Sequence, residues 1–126
     1  MTPEVQQAID EIKATFTDAS VESKSDGDGG AFITVDPVEL SDAYDQSSTW
    51  MGVHITMNYP NSDTNPHFVR PDLSRKDEKD VASNVTKGDF QGRQAFQISR
   101  SSPRRNPEHE TAAIKMLKVM KWLNGL

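Results

Sequence analysis

The chain has no cysteine among its 126 residues. That absence removes disulfides, thiolate metal sites and thiol nucleophiles together. Histidine is almost as scarce: His54, His67 and His109 are the only three, and no two of them share metal-ligand spacing. Apolar residues make up 34% of the chain and mean hydropathy is −0.69, which predicts a thin core and long loops. No apolar run approaches the roughly 18–20 residues that cross a bilayer. Residues 1–10 lack the basic-then-apolar order of a signal peptide. The expectation is a cytoplasmic chain with no membrane role, and nothing in the residues asks for a cofactor or a metal.

Catalytic and nucleotide-binding motifs are missing too. Serines are plentiful, yet no GxSxG elbow occurs on which a hydrolase triad could rest. Gly27-Asp28-Gly29-Gly30 is followed by neither a helix start nor Lys-Ser/Thr, so it is no phosphate loop. It reads instead as a hairpin turn. Carboxylates abound without a convincing catalytic pair.

Charge is unevenly spread. Residues 1–86 carry 6 Lys/Arg against 16 Asp/Glu, and residues 87–126 carry 8 against 3. An acidic first two-thirds argues against general nucleic-acid binding, which needs a basic footprint.

The 50–71 stretch organises the rest. Met51, Val53, Ile55, Met57 and Tyr59 alternate with Gly52, His54, Thr56 and Asn58, the period of a half-buried strand. Tyr59-Pro60 and Pro66 then punctuate the chain, because proline offers no backbone donor and pushes its predecessor out of the helical region. A second short strand is predicted at 66–71. Upstream, Thr2-Pro3-Glu4 is a helix start with cap, proline and acid in order. Val5, Ile9, Ile12 and Phe16 form the apolar stripe of that helix, which should end near residues 17–20. Residues 21–26 read as a polar edge strand. Residues 31–40 follow as another strand, with a bulge at Pro37 absorbing the slip of Val38 against Ile33 and Val35.

Residues 73–92 are so polar that a long loop is predicted there. A short apolar piece at 94–99 presents Phe96 and Ile98 on one face. Asn106-Pro107-Glu108 repeats the helix-start pattern and predicts the beginning of the last helix, whose apolar face includes Ala113, Leu117, Met120 and Leu123. Asn124-Gly125 ends it. The expected fold is a single α+β domain over 1–126: an N-terminal helix, a four-stranded antiparallel meander, and a C-terminal helix packed on the sheet.

The strongest site candidate is the basic stretch at 100–105, with Arg100, Ser101, Ser102, Arg104 and Arg105 ahead of the last helix. Arginine can hold a carboxylate bidentately, which suits the chain terminus or acidic loop of a protein partner. His67 and Arg70, beside the Pro66 corner, are further binding candidates. The sheet face bearing His54, Thr56 and Asn58 is the other candidate surface.

This order of elements resembles the ubiquitin-conjugating-enzyme fold and its non-catalytic relatives, the UEV and RWD domains. Tyr59-Pro60 and Pro66-His67-Phe68-Val69-Arg70-Pro71 look like that family's Tyr-Pro and Pro-Pro turns and the strand after them. Gly92-Arg93-Gln94-Ala95-Phe96-Gln97-Ile98 looks like the stretch where the family places its catalytic cysteine, and Asn106-Pro107 like the lead into the next helix. The nearest flavour is bacterial, that of ubiquitin-like conjugation and antiphage operons. The family's cysteine is absent, with Ala95 or Ser99 near its place, and the His-Pro-Asn motif is replaced by nothing closer than Arg70-Pro71-Asp72 or Asp89. The resemblance therefore implies an inactive conjugating-enzyme-like domain that binds a ubiquitin-like protein or its activating enzyme. Its alternative is an active enzyme, either ester-forming through Ser99, Ser101 or Ser102, or with a cysteine replaced at Ala95.

Overall fold

The structure, a computed structural model, describes residues 1–101 and 106–126. Eight elements follow one another: α1 (Pro3–Thr15), β1 (Ser20–Ser25), β2 (Ala31–Glu39), β3 (Ser48–Ile55), β4 (His67–Val69), β5 (Val85–Phe90), β6 (Arg93–Ile98) and α2 (Ala112–Asn124). The strands form one antiparallel sheet in the order β1-β2-β3-β4-β6-β5. The α+β class and the two terminal helices agree with the sequence reading. The strand number does not, for there are six strands rather than four.

The two extra strands form a hairpin whose inner strand, β6, pairs with the free side of β4. β5 occupies the second half of the predicted 73–92 loop. Its composition hid it: an outermost strand pairs on one side only and can carry Thr86, Lys87 and Asp89 into solvent. The hairpin turns at Gln91 and Gly92, both at positive φ. Glycine meets that requirement without strain, whereas Gln91 meets it against preference.

The helices pack on one face of the sheet. Val5, Ile9 and Ile12 of α1 and Met116, Val119, Met120 and Leu123 of α2 join Ile33, Val35, Met51, Val53, Ile55, Val69 and Ile98 in one core. Burial of such side chains is worth roughly 1.5–3 kcal/mol each. The alternation predicted for β3 is present, with Met51, Val53 and Ile55 on this face. The strand ends at Ile55, however, so Met57 is exposed and Tyr59 reaches the core from a turn. The slip in β2 is also present, as a register shift between Val35 and Val38 around Asp36-Pro37.

Helix ends follow local chemistry. Thr2 caps α1 by accepting the Val5 N–H at 3.1 Å. The helix stops at Thr15, short of the predicted 17–20, because Phe16 leaves helical geometry while closing the last turn onto Ile12.

The Asn106-Pro107-Glu108 signal does not start α2. Asn106 closes an isolated turn, accepting the backbone N–H groups of His109 and Glu110 on its carbonyl and that of Glu108 on its side chain. The true cap is Thr111, whose hydroxyl accepts from Ile114 N.

Two tyrosines then fix α2 from outside. Tyr59 Oη accepts the Ala112 N–H at 3.0 Å at one end, and Tyr44 Oη donates to the Leu123 carbonyl at 2.6 Å at the other. Both groups are among the helix-end atoms that have no partner within the helix itself.

Candidate functional site

The helix-free face of the sheet is not a plain polar surface. Phe32 on β2, Trp50 on β3, Phe68 on β4 and Phe90 at the end of β5 gather there into a second apolar cluster with Ala95. Strand parity explains it. Gly52 and His54 leave β3 opposite to Val53, Phe32 faces His54 across β2–β3, and Phe68 lies opposite Gly52 across β3–β4. The Phe90 ring is 5.0 Å from Phe68, 6.0 Å from Phe32 and 6.1 Å from Trp50. It lies over Gly52, where a β-carbon would sit 2.5 Å from the ring. Gly52 is thus the notch that lets the hairpin tip fold onto the sheet.

Two charged or titratable side chains rest on this bed. The Arg93 guanidinium stacks 3.9 Å above the Trp50 ring, a cation–π contact. His54 stacks on Phe32 with ring centres 4.3 Å apart, and its Nε2 lies 2.7 Å from Asp26 Oδ2. Asp26 is itself anchored, its other oxygen accepting the Asp28 and Gly30 N–H groups at 2.8 and 3.0 Å. The hydrogen bond to His54, then that from Asp28, holds the Asp26 carboxyl below its ordinary range. The Gly27–Gly30 turn read from sequence therefore also builds the platform that aims His54.

The sequence candidates fall in several places. Arg70 is clamped by Asp72, with Nε and Nη2 donating at 2.6 and 2.8 Å, while its Nη1 donates to the Ser48 carbonyl. That pairing lowers the Asp72 pKa. His67 is not at the surface. It alternates with Phe68, faces the helices, and is completely buried with neither ring nitrogen hydrogen-bonded. Burial first, then nearby Lys115, brings its pKa down to about 3.

Ala95 is 2% exposed within the aromatic cluster, so a nucleophile at that position would be covered. Ser99 is exposed, and among the described residues no carboxylate or imidazole bonds its hydroxyl. Arg100 donates its backbone N–H to Asn65 and stacks 4.5 Å from the Trp122 ring centre. With Ser101 it borders a cavity of about 140 Å³ beside Lys115, Lys118 and Glu110. Ser102, Arg104 and Arg105 lie outside the described residues.

Sequence reasoning placed His54 on the open face but missed Asp26, Trp50, Phe90 and Arg93 as its companions. The available signal was the run of large aromatics on the non-core phase of the strands. Among the described residues no three His, Asp or Glu side chains are grouped to hold a metal ion. Compared with protein-family models, curated proteins and solved structures, the chain matches none of them.

Proposed function

We propose that this chain is a non-catalytic protein-binding domain that engages its partner through the open sheet face. One observation carries the reading: Arg93 and His54 are presented already immobilised, on Trp50 and on Phe32 with Asp26. Side chains already packed in place lose less conformational entropy on association, and arginine and tryptophan are each enriched at interface hot spots. The covered position of Ala95 weighs against the cysteine-replaced alternative, and among the described residues no carboxylate or imidazole is bonded to the Ser99 hydroxyl. The resemblance carried by Tyr59-Pro60 and the 66–71 stretch makes a ubiquitin-like protein, or its activating enzyme, the proposed partner in a bacterial conjugation-type system.

The test is affinity capture from the native host, read by mass spectrometry, with wild type, Arg93→Glu and an Arg100→Glu/Arg104→Glu/Arg105→Glu variant run together. A ubiquitin-like protein or its activating enzyme, recovered by wild type and lost with Arg93→Glu alone, is the expected result. Loss only in the triple variant would move the site to the basic stretch. Recovery of neither protein would remove the link to ubiquitin-like chemistry.

A further inference from the structure

The sheet has two outer strands, β1 and β5, and β1 is the more open. Every residue of β1 is exposed except Val21, which is partly buried. Glu22 and Lys24 lie opposite Thr34 and Phe32 of β2, so both stand on the helix-free face. The hairpin that follows settles which main-chain groups point away from β2. Asp26 donates its N–H to the Gly30 carbonyl at 3.2 Å, and hydrogen-bonded and non-bonded residues alternate along an antiparallel pair. Lys24, Glu22 and Ser20 therefore bond to β2. Ser25, Ser23 and Val21 turn their N–H and C=O groups outward, where a further strand could take them.

We infer that this edge pairs with the same edge of a second copy of the chain, antiparallel, with Ser23 opposite Ser23. In that register the outward residues meet only one another: Ser23 faces Ser23, and each Val21 faces Ser25 of the other copy. Glu22 then lies opposite Lys24 of the other copy, and Lys24 opposite its Glu22. These are non-hydrogen-bonded pairs, whose side chains stand closest across an antiparallel ladder. Opposite charges placed there stabilise the pairing. The adjacent registers that keep the hydrogen bonds are centred on Glu22 or on Lys24. They set like charges directly opposite each other, which is destabilising. A lone edge lysine discourages pairing, but here the glutamate two residues away supplies its counter-charge on the second copy. The contact is isologous, and its two-fold axis is normal to the sheet. It joins the two sheets edge to edge and leaves the Arg93–His54 faces of both copies on the same side. The inference does not depend on what those faces bind.

The experiment is sedimentation equilibrium from micromolar to millimolar protein. Wild type should pass from the monomer mass of 14.0 kDa towards twice that value. Glu22→Lys and Lys24→Glu each set like charges opposite at both pairs and should weaken the dimer about tenfold. Mixed in equal amounts, the two variants carry complementary edges and should associate as wild type does. The exchange Glu22→Lys/Lys24→Glu should restore the dimer within one chain. Both positions are exposed, and circular dichroism will verify the fold of each variant. Hydrogen exchange gives a second measurement: the Val21, Ser23 and Ser25 amides, fast in the dilute monomer, should slow as concentration rises. Those of β5 should not. A monomer at every concentration, a dimer indifferent to the charge reversals, or variants that fail to recover on mixing would overturn the inference.

Discussion

His67 is a buried histidine with no hydrogen-bond partner, and its surroundings set the sign of an acid response. From the sheet it faces the core. Across from it are Lys115 on α2, which opposes its protonation, and Asp63 on the 59–66 turn, which favours it. Its folded pKa of about 3 lies below the ordinary 6.5, so the unfolded chain binds the proton more readily. Stability is therefore complete above pH 6.5 and falls as the pH drops towards 3, with about 2 kcal/mol lost by pH 5. The carboxylates of Asp26, Asp72 and Asp77 are also held low, but their contribution is lost only below about pH 5. Urea unfolding at pH 7 and pH 5 isolates the histidine. Wild type should lose about 2 kcal/mol over that interval, and His67→Leu should be nearly flat. Parallel losses in both proteins would place the titrating group elsewhere.

At the scale of one element, α2 shows which sequence signals hold and which mislead. Thr111 caps its start from within the chain, and Tyr44 closes its end from 79 residues away. Thr111→Ala should cost about 1 kcal/mol through the lost cap, and Tyr44→Phe about the same by removing the short hydrogen bond to the Leu123 carbonyl, which keeps only the longer one from Leu126 N at 3.4 Å. The two sites lie at opposite ends of a 13-residue helix, about 18 Å apart, so the double variant should show the sum of the losses. Denaturant midpoints of the three variants measure this, and a double variant no worse than either single one would mean the ends are not independently fixed.

The same helix explains what was legible. Ala113, Met120 and Leu123 of the apolar face and the Asn124-Gly125 stop were readable because they are local patterns, whereas Leu117, expected on that face, is 47% exposed. The start was misplaced because Asn106-Pro107-Glu108 satisfies every local rule for a helix start but serves a turn. Lys115, on the same helix, is 3% exposed with Nζ 3.3 Å from Asp63. No local pattern reports a partner 52 residues away. β5 escaped for the opposite reason: a one-sided edge strand needs no apolar alternation. The open-face site was half legible, since parity placed His54 there, while the hairpin fold that brings Phe90 over Gly52 is purely tertiary.

For the whole molecule the sheet is a shared wall between two apolar clusters of unequal size. The helix-side cluster joins both termini of the chain, whereas the second depends on the β5–β6 hairpin folding its tip onto β3 through Phe90 and Gly52. If the second cluster is energetically real, the hairpin cannot open without exposing Trp50, Phe68 and Phe90 to water, so β6 must open with the sheet rather than before it. Native-state hydrogen exchange resolves this. The central β2–β3 pair should be slowest, since Ala31, Ile33, Val35, Met51, Val53 and Ile55 are completely buried along it. The β6 amides at Phe96 and Gln97 should be as protected as those of β4, with which they pair. The outward amides of the edge strands β1 and β5 should exchange first. Early exchange throughout β6 would show the hairpin to be a loosely attached flap. Arg93, which stands on that hairpin, would then be mobile, and the pre-set binding face proposed above would lose its physical basis.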